Sequence, residues 1–176
     1  MTSSKINDVW NLTLDCGRQI ELRTPADWRT ESDEQTLLSL RSPDDVLTSL
    51  RLQYVSLNQL AFSDRVTELW NSERSYWQQQ GVEPVDLPDL QAFEARFLMR
   101  APAMSCILRK VYVDVGNGVF VLMFMTRAEA WSRNSALYRQ IVHSIDVHFS
   151  RSCDNPAHNA PNNERVTGGP LANASA

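Results

Sequence analysis

The sequence predicts an α+β protein in which an antiparallel β-sheet is flanked by helices. Three observations support this fold class. β-rich runs separated by turn residues fill most of the chain, two segments repeat apolar residues at helical spacing, and three consecutive strands form a meander between those two segments. Helices that follow groups of strands, rather than alternating with single strands, pack together on an antiparallel sheet.

Four strands are predicted in the first third of the chain. Residues 9–14 and 18–23 form a pair around a turn at residues 15–17. Apolar and charged residues alternate in the second of these, which is typical of a half-buried strand. After a break, residues 36–41 and 49–56 are predicted as two further strands around a turn that contains Pro and Asp.

Residues 62–80 are predicted to form the first helix. Ser63 is the expected N-cap, Asp64 favours the first turn, and Gly81 is the expected stop. The apolar residues that recur at helical spacing are Phe62, Val66, Leu69, Trp70 and Trp77. We interpret this stripe as core; a ligand cage built from the two tryptophans is the alternative.

A meander of three strands follows, over residues 90–100, 104–114 and 119–125. The turn at 101–103 contains a proline, and the turn Gly116-Asn117-Gly118 has glycines that tolerate positive φ. The third strand is apolar at every position, so it needs cover on both faces. It is therefore predicted to lie centrally in the sheet.

The second helix is predicted to begin with a capping box, because Thr126 and Glu129 have the required spacing. Its apolar face consists of Trp131, Leu137, Tyr138, Ile141 and Val142. A kink or interruption is expected at Asn134-Ser135. A short strand over residues 144–149 then ends the body of the protein.

Composition divides the chain into two parts. Residues 1–149 are predicted to form a single α+β binding domain, and residues 150–176 a disordered tail. The tail is rich in Asn, Pro, Gly and Ala and almost lacks large apolar residues. It cannot bury enough surface to offset its chain entropy. We interpret the tail as dispensable; the alternative is that it binds a partner.

Strand parity predicts which side chains of the meander share a face of the sheet. If both turns are two- or four-residue loops, one face is almost wholly apolar and is expected to be core beneath helices. It consists of Phe93, Ala95, Phe97, Leu108, Tyr112, Val119, Val121, Met123 and Met125. The second face consists of Glu94, Arg96, Leu98, Arg109, Val111, Val113, Phe120, Leu122 and Phe124. A three-residue Gly-Asn-Gly loop would exchange the faces.

The second face mixes large apolar residues with charge, and we expect it to be thinly covered or open. An exposed apolar patch rimmed by charge marks a partner site. The predicted partner-binding residues are Glu94, Arg96, Arg109, Phe120, Leu122 and Phe124. The alternative is that Glu94 pairs with Arg96 or Arg109 beneath an edge loop.

Several classes of function lack support in the sequence. The net charge of −4 argues against a nucleic-acid partner. The N-terminus has no apolar signal-peptide region and no run is long enough to span a bilayer, so we expect no stable membrane insertion and a cytoplasmic location. His143 and Ser144 are adjacent on a helix and cannot face each other as a catalytic dyad. We therefore expect no catalytic residue, no metal site and no cofactor.

Cysteine spacing supports neither a disulfide framework nor a zinc site. Cys16, Cys106 and Cys153 are an odd number of cysteines at long intervals. Cys106 lies in a predicted strand and is interpreted as a small core residue. Cys153, in the predicted tail, is interpreted as a free thiol.

Three segments resemble the PsbP-like superfamily, which includes DcrB-type bacterial proteins and a Ran-binding nuclear import factor. They are the strand that ends in Pro25-Ala-Asp-Trp28, the segment of residues 37–45, and the helix end Leu137-Tyr-Arg-Gln-Ile-Val-His-Ser-Ile145. The resemblance covers residues 9–149 and implies an α/β/α sandwich that binds other proteins without catalysis. The cytoplasmic Eag-type chaperones are a similar branch; they dimerise and shield apolar segments of type VI secreted toxins.

The sequence, together with this resemblance, predicts a non-catalytic protein-binding module that is not an enzyme. Its expected role is that of a cytoplasmic chaperone or adaptor for a bacterial secreted effector of the type VI kind. The alternatives are an immunity protein that neutralises a toxin and an enzyme of unrecognised type. The expected partner is an effector or toxin protein, and a homodimer is a further partner that the resemblance implies.

Overall fold

Two antiparallel sheets and two α-helices form the part of the chain that the structure describes. The computed structural model describes residues 6–14, 18–73, 77–101 and 104–148. Along the chain the elements are β1 (Ile6–Thr13), β2 (Gln19–Pro25), β3 (Arg29–Thr30), β4 (Leu38–Arg41), β5 (Ser49–Ser56), α1 (Phe62–Ser72), β6 (Gln78–Pro84), β7 (Ala92–Ala101), β8 (Met104–Asp114), β9 (Gly118–Arg127), a 3₁₀ turn (Ala128–Ala130), α2 (Trp131–His143) and β10 (Asp146–His148). The predicted α+β class is confirmed.

The large sheet has seven strands in the order β3-β4-β5-β9-β8-β7-β6, and the small sheet has three in the order β1-β2-β10. β9 is therefore the middle strand of the large sheet, as its unbroken run of apolar residues predicted. Val119, Phe120, Leu122 and Phe124 are wholly inaccessible to solvent. This burial on alternate faces follows from layers packed on both sides of the sheet.

The two faces of the large sheet are covered by different layers. α1 packs on one face, where Phe62 and Val66 meet Phe97 and Tyr112 of the sheet. α2 and the small sheet pack on the other face. The buried residues between these layers and the large sheet form what we call the α2-side core. These include Leu50, Leu52, Phe120, Leu122 and Phe124 of the large sheet, Ile20 and Leu22 of β2, and Tyr138, Ile141 and Val142 of α2.

The meander has the predicted register, so the two predicted faces are correct. Asp114 pairs with Val119, and the amide of Val115 donates to the carbonyl of Gly118 at 3.1 Å. The loop is thus the dipeptide Gly116-Asn117, in which Gly116 has a φ of 86°. Ala101 pairs with Met104, although the predicted turn between them lies outside the described residues.

The first helix is shorter than predicted. α1 ends at Ser72, and residues 78–80 belong to β6 rather than to the helix. Gly81 is not a helix stop, because it lies within β6 with a φ of 146° next to a bulge. Ser63 is not the cap either; the N-cap is Ala61, whose side chain has no polar atom to donate or accept. β6 instead pairs antiparallel with β7 and forms the edge of the large sheet.

The second helix also begins later than predicted. Thr126 is the penultimate residue of β9, and its hydroxyl accepts a hydrogen bond from Asn134 at 2.8 Å and shares another with Thr48 at 2.8 Å. It therefore cannot serve in a capping box. The predicted kink at Asn134-Ser135 is wrong, since α2 runs unbroken from Trp131 to His143.

Several predictions fall on parts of the chain that are not described. The turn at residues 15–17, the tail at 150–176, Cys16 and Cys153 all lie outside the described residues. Cys106 lies within them and is buried, as predicted.

Candidate protein-binding surfaces

The three apolar residues predicted to contact a partner lie in the α2-side core. Phe120, Leu122 and Phe124 are completely buried. The ring of Phe124 lies 5.3 Å from Tyr138 and 6.2 Å from Trp28, measured between ring centroids. The prediction that this face is open is wrong, because α2 and the small sheet cover it. Strand parity identifies the residues of a face but not the layer that packs on it.

The charged residues of the same face form a compact cluster at the outer strands. We call Glu83, Glu94, Arg96 and Arg109 the charged cluster. The Nε of Arg96 donates to Oε1 of Glu94 at 3.0 Å, and Nη1 of Arg109 lies 3.4 Å from that oxygen. Arg96 also pairs with Glu83. The alternative prediction of ion pairs on Glu94 is therefore confirmed.

Helix α2, rather than an edge loop, covers the inner half of the charged cluster. The hydroxyl of Tyr138 donates to Oε2 of Glu94 at 2.7 Å. The guanidinium of Arg109 lies over the ring of Trp131, 4.7 Å from its centroid. Both carboxylate oxygens of Glu94 are thus occupied by donors from within the protein.

Burial shifts the pKa values of the ionisable groups at this inner half of the charged cluster. It lowers the pKa of Arg109, and the nearby Glu94 carboxylate opposes that change. Burial and the Glu94 charge both raise the pKa of Tyr138, so this hydroxyl stays protonated as a donor. The outer half differs, since the side chains of Arg96 and Glu83 are 36% and 56% exposed. Partner binding by the charged cluster stays a prediction, and Arg96 is its accessible cation.

The α1 face of the large sheet is less completely covered than the α2 face. α1 has 11 residues and buries Phe62 and Val66 fully, but a ring of large apolar side chains around it is only partly buried. We call this ring the apolar margin. It consists of Val55, Leu57, Leu69, Trp70, Trp77, Phe93, Met123 and Met125.

The geometry of the apolar margin follows from the short helix. Trp70 lies in the last turns of α1 and packs on Phe97, with 4.8 Å between ring centroids. Met123 and Met125 lie on β9, between their cross-strand neighbours on β5 and β8. The sequence predicted a helix that ends at residue 80, eight residues beyond the observed end. A helix of that length would have covered more of this face of the large sheet. The two tryptophans are part of this packing, as the core interpretation required, though neither is fully buried.

Cations and anions surround the apolar margin in pairs. Nζ of Lys110 lies 2.5 Å from Oε1 of Glu73, and the side chain of Lys110 is only 10% exposed. Arg51, the cross-strand neighbour of Met123, is 48% exposed and lies 3.7 Å from Asp33. An exposed pair at that distance contributes little to stability, so the Arg51 guanidinium is available to a partner.

A cleft of about 480 Å³ lies where α2 ends against the small sheet. His143 and Ser144 line it together with Glu21, Arg23 and Asp146. The Ser144 hydroxyl accepts a hydrogen bond from the Arg23 amide at 3.0 Å and donates to the Ile141 carbonyl at 2.7 Å. These backbone contacts give it a structural role at the helix end.

Within residues 6–14, 18–73, 77–101 and 104–148, no three His, Cys, Asp or Glu side chains are grouped as a metal ion would require. Neither described helix has the length and apolar character needed to cross a membrane.

Comparison with known proteins identifies the fold. No family model and no curated protein matches the sequence. Among solved structures, cyanobacterial PsbP (CyanoP) from Synechocystis sp. PCC 6803 has a TM-score of 0.59 at 11% identity, covering 84% of this chain and 97% of that one. LpqN, involved in cell envelope biogenesis of Mycobacterium tuberculosis, has a TM-score of 0.57 at 13% identity, covering 81% and 93%.

The Ran-binding protein Mog1p of Saccharomyces cerevisiae is a further structural neighbour. Its TM-score is 0.51 at 10% identity, and the match covers 81% of this chain and 96% of that one. The protein therefore has the PsbP-like fold, as the sequence resemblance implied. Proteins with this fold have varied roles, so the fold alone does not assign one of them to this chain.

Proposed function

We propose that this protein is a non-catalytic binding module for another protein, and that it acts as a cytoplasmic chaperone or adaptor for a bacterial secreted effector. The apolar margin is the observation that carries the proposal. It offers partly buried aromatic and methionine side chains beside a short helix. The Ran-binding neighbour Mog1p is an example of this fold in a protein that binds another protein.

The chemistry of the apolar margin suits an apolar segment of a partner. Trp70 and Trp77 supply large rigid contact surfaces, and Met123 and Met125 supply flexible, polarizable ones that adapt to different shapes. Covering such surface contributes roughly 25 cal/mol for each Å² removed from water. An effector of the type VI kind that carries apolar segments would be shielded from aggregation by this contact.

The charged cluster is a second element of the proposal. Arg96 lies on β7, next to the edge strand β6, and its exposed part beside Glu83 would bind a carboxylate of the partner. Arg96→Ala should therefore weaken partner binding while Arg109→Ala, which removes an inward-facing group, should mainly reduce stability. The homodimer implied by the resemblance is tested separately by sedimentation velocity at two protein concentrations.

Affinity capture from the native cells tests the proposed function. The tagged wild-type chain is compared with Met123→Glu and Met125→Glu, and with Ala136→Glu as a control on the exposed face of α2. Circular dichroism confirms that each variant is folded. We expect the wild type and the control to retain one abundant partner with apolar segments, and both methionine variants to lose it.

Other outcomes of the capture point to the alternative functions. A toxin without apolar segments, bound equally by all four proteins, would favour the immunity protein. No partner for the natively expressed wild type would contradict both binding roles, and a metabolite screen would then test for an enzyme of unrecognised type.

A further inference from the structure

We propose that the free edge of β1 is a second binding site, independent of the apolar margin, at which an extended segment of a partner protein adds as a strand. The segment that fits has apolar residues at alternate positions and a Lys or Arg next to Asp8. The proposal rests on three features of β1: its unprotected edge, its half-buried inner face and its isolated carboxylate.

The four edge strands of the two described sheets differ in how they are protected against pairing with another chain. β3 and β10 have only two and three residues. β6 contains a bulge before Gly81 and ends in Pro84. Short length, bulges and proline are three of the devices by which proteins prevent an edge from pairing with another chain.

β1 lacks this protection over most of its length. It has eight residues and is hydrogen-bonded to β2 alone among the described strands. A bulge at Asn7 affects only its start, and residues 8–13 pair regularly with β2. Within that regular stretch there is no proline and no lysine. No described residue pairs with the other side of β1, so the backbone N–H and C=O groups on that side can bind an added strand.

The inner side of β1 is incompletely covered. Ile6, Trp10 and Leu12 are partly buried and pack against the α2-side core. The indole Nε1 of Trp10 donates to Oγ1 of Thr24 at 2.9 Å, which fixes the ring at the rim of the core. Apolar residues of an added strand would lie beside Trp10 and Leu12 and extend that core by one strand.

Asp8 indicates the charge of the added segment. It faces the same side as Trp10, opposite Thr24 of β2, and its side chain is partly buried. No ion pair with Asp8 is formed by the residues that the structure describes. A partly buried carboxylate is stabilised by a neighbouring cation, so a Lys or Arg of the partner is the complementary group.

A second copy of this chain fits the β1 edge less well than such a segment. A stable dimer interface usually involves about 20–30 residues on each side, more than a single eight-residue strand supplies. Two β1 strands paired antiparallel about Val9 would also place Asp8 opposite Trp10 of the other copy. That arrangement leaves both carboxylates without a cation.

Two synthetic peptides test the proposal. One has the sequence Val-Thr-Val-Thr-Lys-Thr-Val, and the other replaces its Lys by Glu; both have blocked termini. Binding is followed by fluorescence anisotropy, and hydrogen exchange locates the amides that become protected. We expect the Lys peptide to bind more tightly and to protect β1. Asp8→Lys should invert the preference by about fivefold, which is the effect of one partly exposed ion pair.

Three results would overturn the proposal. The first is equal binding of the two peptides by the wild type, and the second is an unchanged preference in Asp8→Lys. The third is protection of β1 that rises with protein concentration in the absence of peptide, which would show that a second copy occupies the edge. Asn11→Pro, which removes an edge donor, provides a second check: it should abolish binding of the Lys peptide if the variant remains folded by circular dichroism.

Discussion

Leu122→Asp tests whether the predicted partner face is core. The side chain of Leu122 has no exposure, and its cross-strand neighbours Leu52 and Val111 are equally buried. A carboxylate at this position would be surrounded by apolar side chains of the α2-side core. If the face were open, as the sequence alone suggested, the same change would leave the protein folded.

The size of the effect follows from the burial. Removing most of a buried leucine, as in Leu122→Ala, costs about 2–5 kcal/mol, which corresponds to a fall in Tm of roughly 5–15 °C for a domain of this size. An unpaired carboxylate adds several kcal/mol of desolvation. The sum approaches the ~5–15 kcal/mol by which domains are normally stable, so Leu122→Asp should not fold cooperatively.

Met123→Asp is the matched control, because the adjacent residue faces the apolar margin and is only partly buried. We expect it to lose about 1 kcal/mol and to remain folded. Urea unfolding followed by circular dichroism measures both variants. A Leu122→Asp protein that unfolds at the wild-type urea concentration would refute the layer arrangement described here.

Three further predictions concern other contacts. Glu94→Gln should lower the free energy of unfolding by about 2 kcal/mol in urea titrations, less than for a fully buried pair since Glu94 is 17% exposed. Ala61→Ser should raise it by about 1 kcal/mol, because the extended backbone of Ala61 suits an N-cap that now lacks an acceptor. Burial raises the pKa of both Tyr112 and Tyr138, so the unfolded chain ionises first and stability should fall above about pH 10, by up to ~1.4 kcal/mol per pH unit for each tyrosine.

Each of these predictions has a control. Tyr138→Phe combined with Glu94→Gln separates the hydrogen bond from the ion pairs, and an unchanged stability in Glu94→Gln alone would refute the role of the carboxylate. Ala61→Val should not stabilise α1, since valine offers no acceptor. Tyr112→Phe and Tyr138→Phe should each make the alkaline fall in stability less steep than in the wild type; a fall as steep as that of the wild type in both variants would assign it to other groups.

Local patterns were sufficient to predict the centre of the fold. The all-apolar run of β9 required cover on both faces, and the glycines around Asn117 gave the two-residue turn that sets the register. Once that register is fixed, the period of two places Glu94, Arg96 and Arg109 on one face, and their ion pairs follow from proximity.

The features that the sequence did not predict depend on contacts between distant segments. Residues 78–80 continue the helical pattern locally, yet they pair with β7 because that strand has a free side. The cover of Phe120 and Leu122 comes from β2 and α2, which are remote in the sequence. Strand parity cannot indicate which layer packs on a face. For this reason the face that α2 and the small sheet cover was predicted to be thinly covered or open.

Site-specific photo-crosslinking tests the central claim, that the apolar margin binds the partner, most directly. A photoreactive amino acid replaces Met125 in one variant and Ala136 in the other, and each is irradiated in the native cells before mass spectrometry. We expect crosslinks from position 125 to an apolar segment of one effector, and none from position 136. Crosslinks from 136 alone, or the same products from both positions, would contradict it.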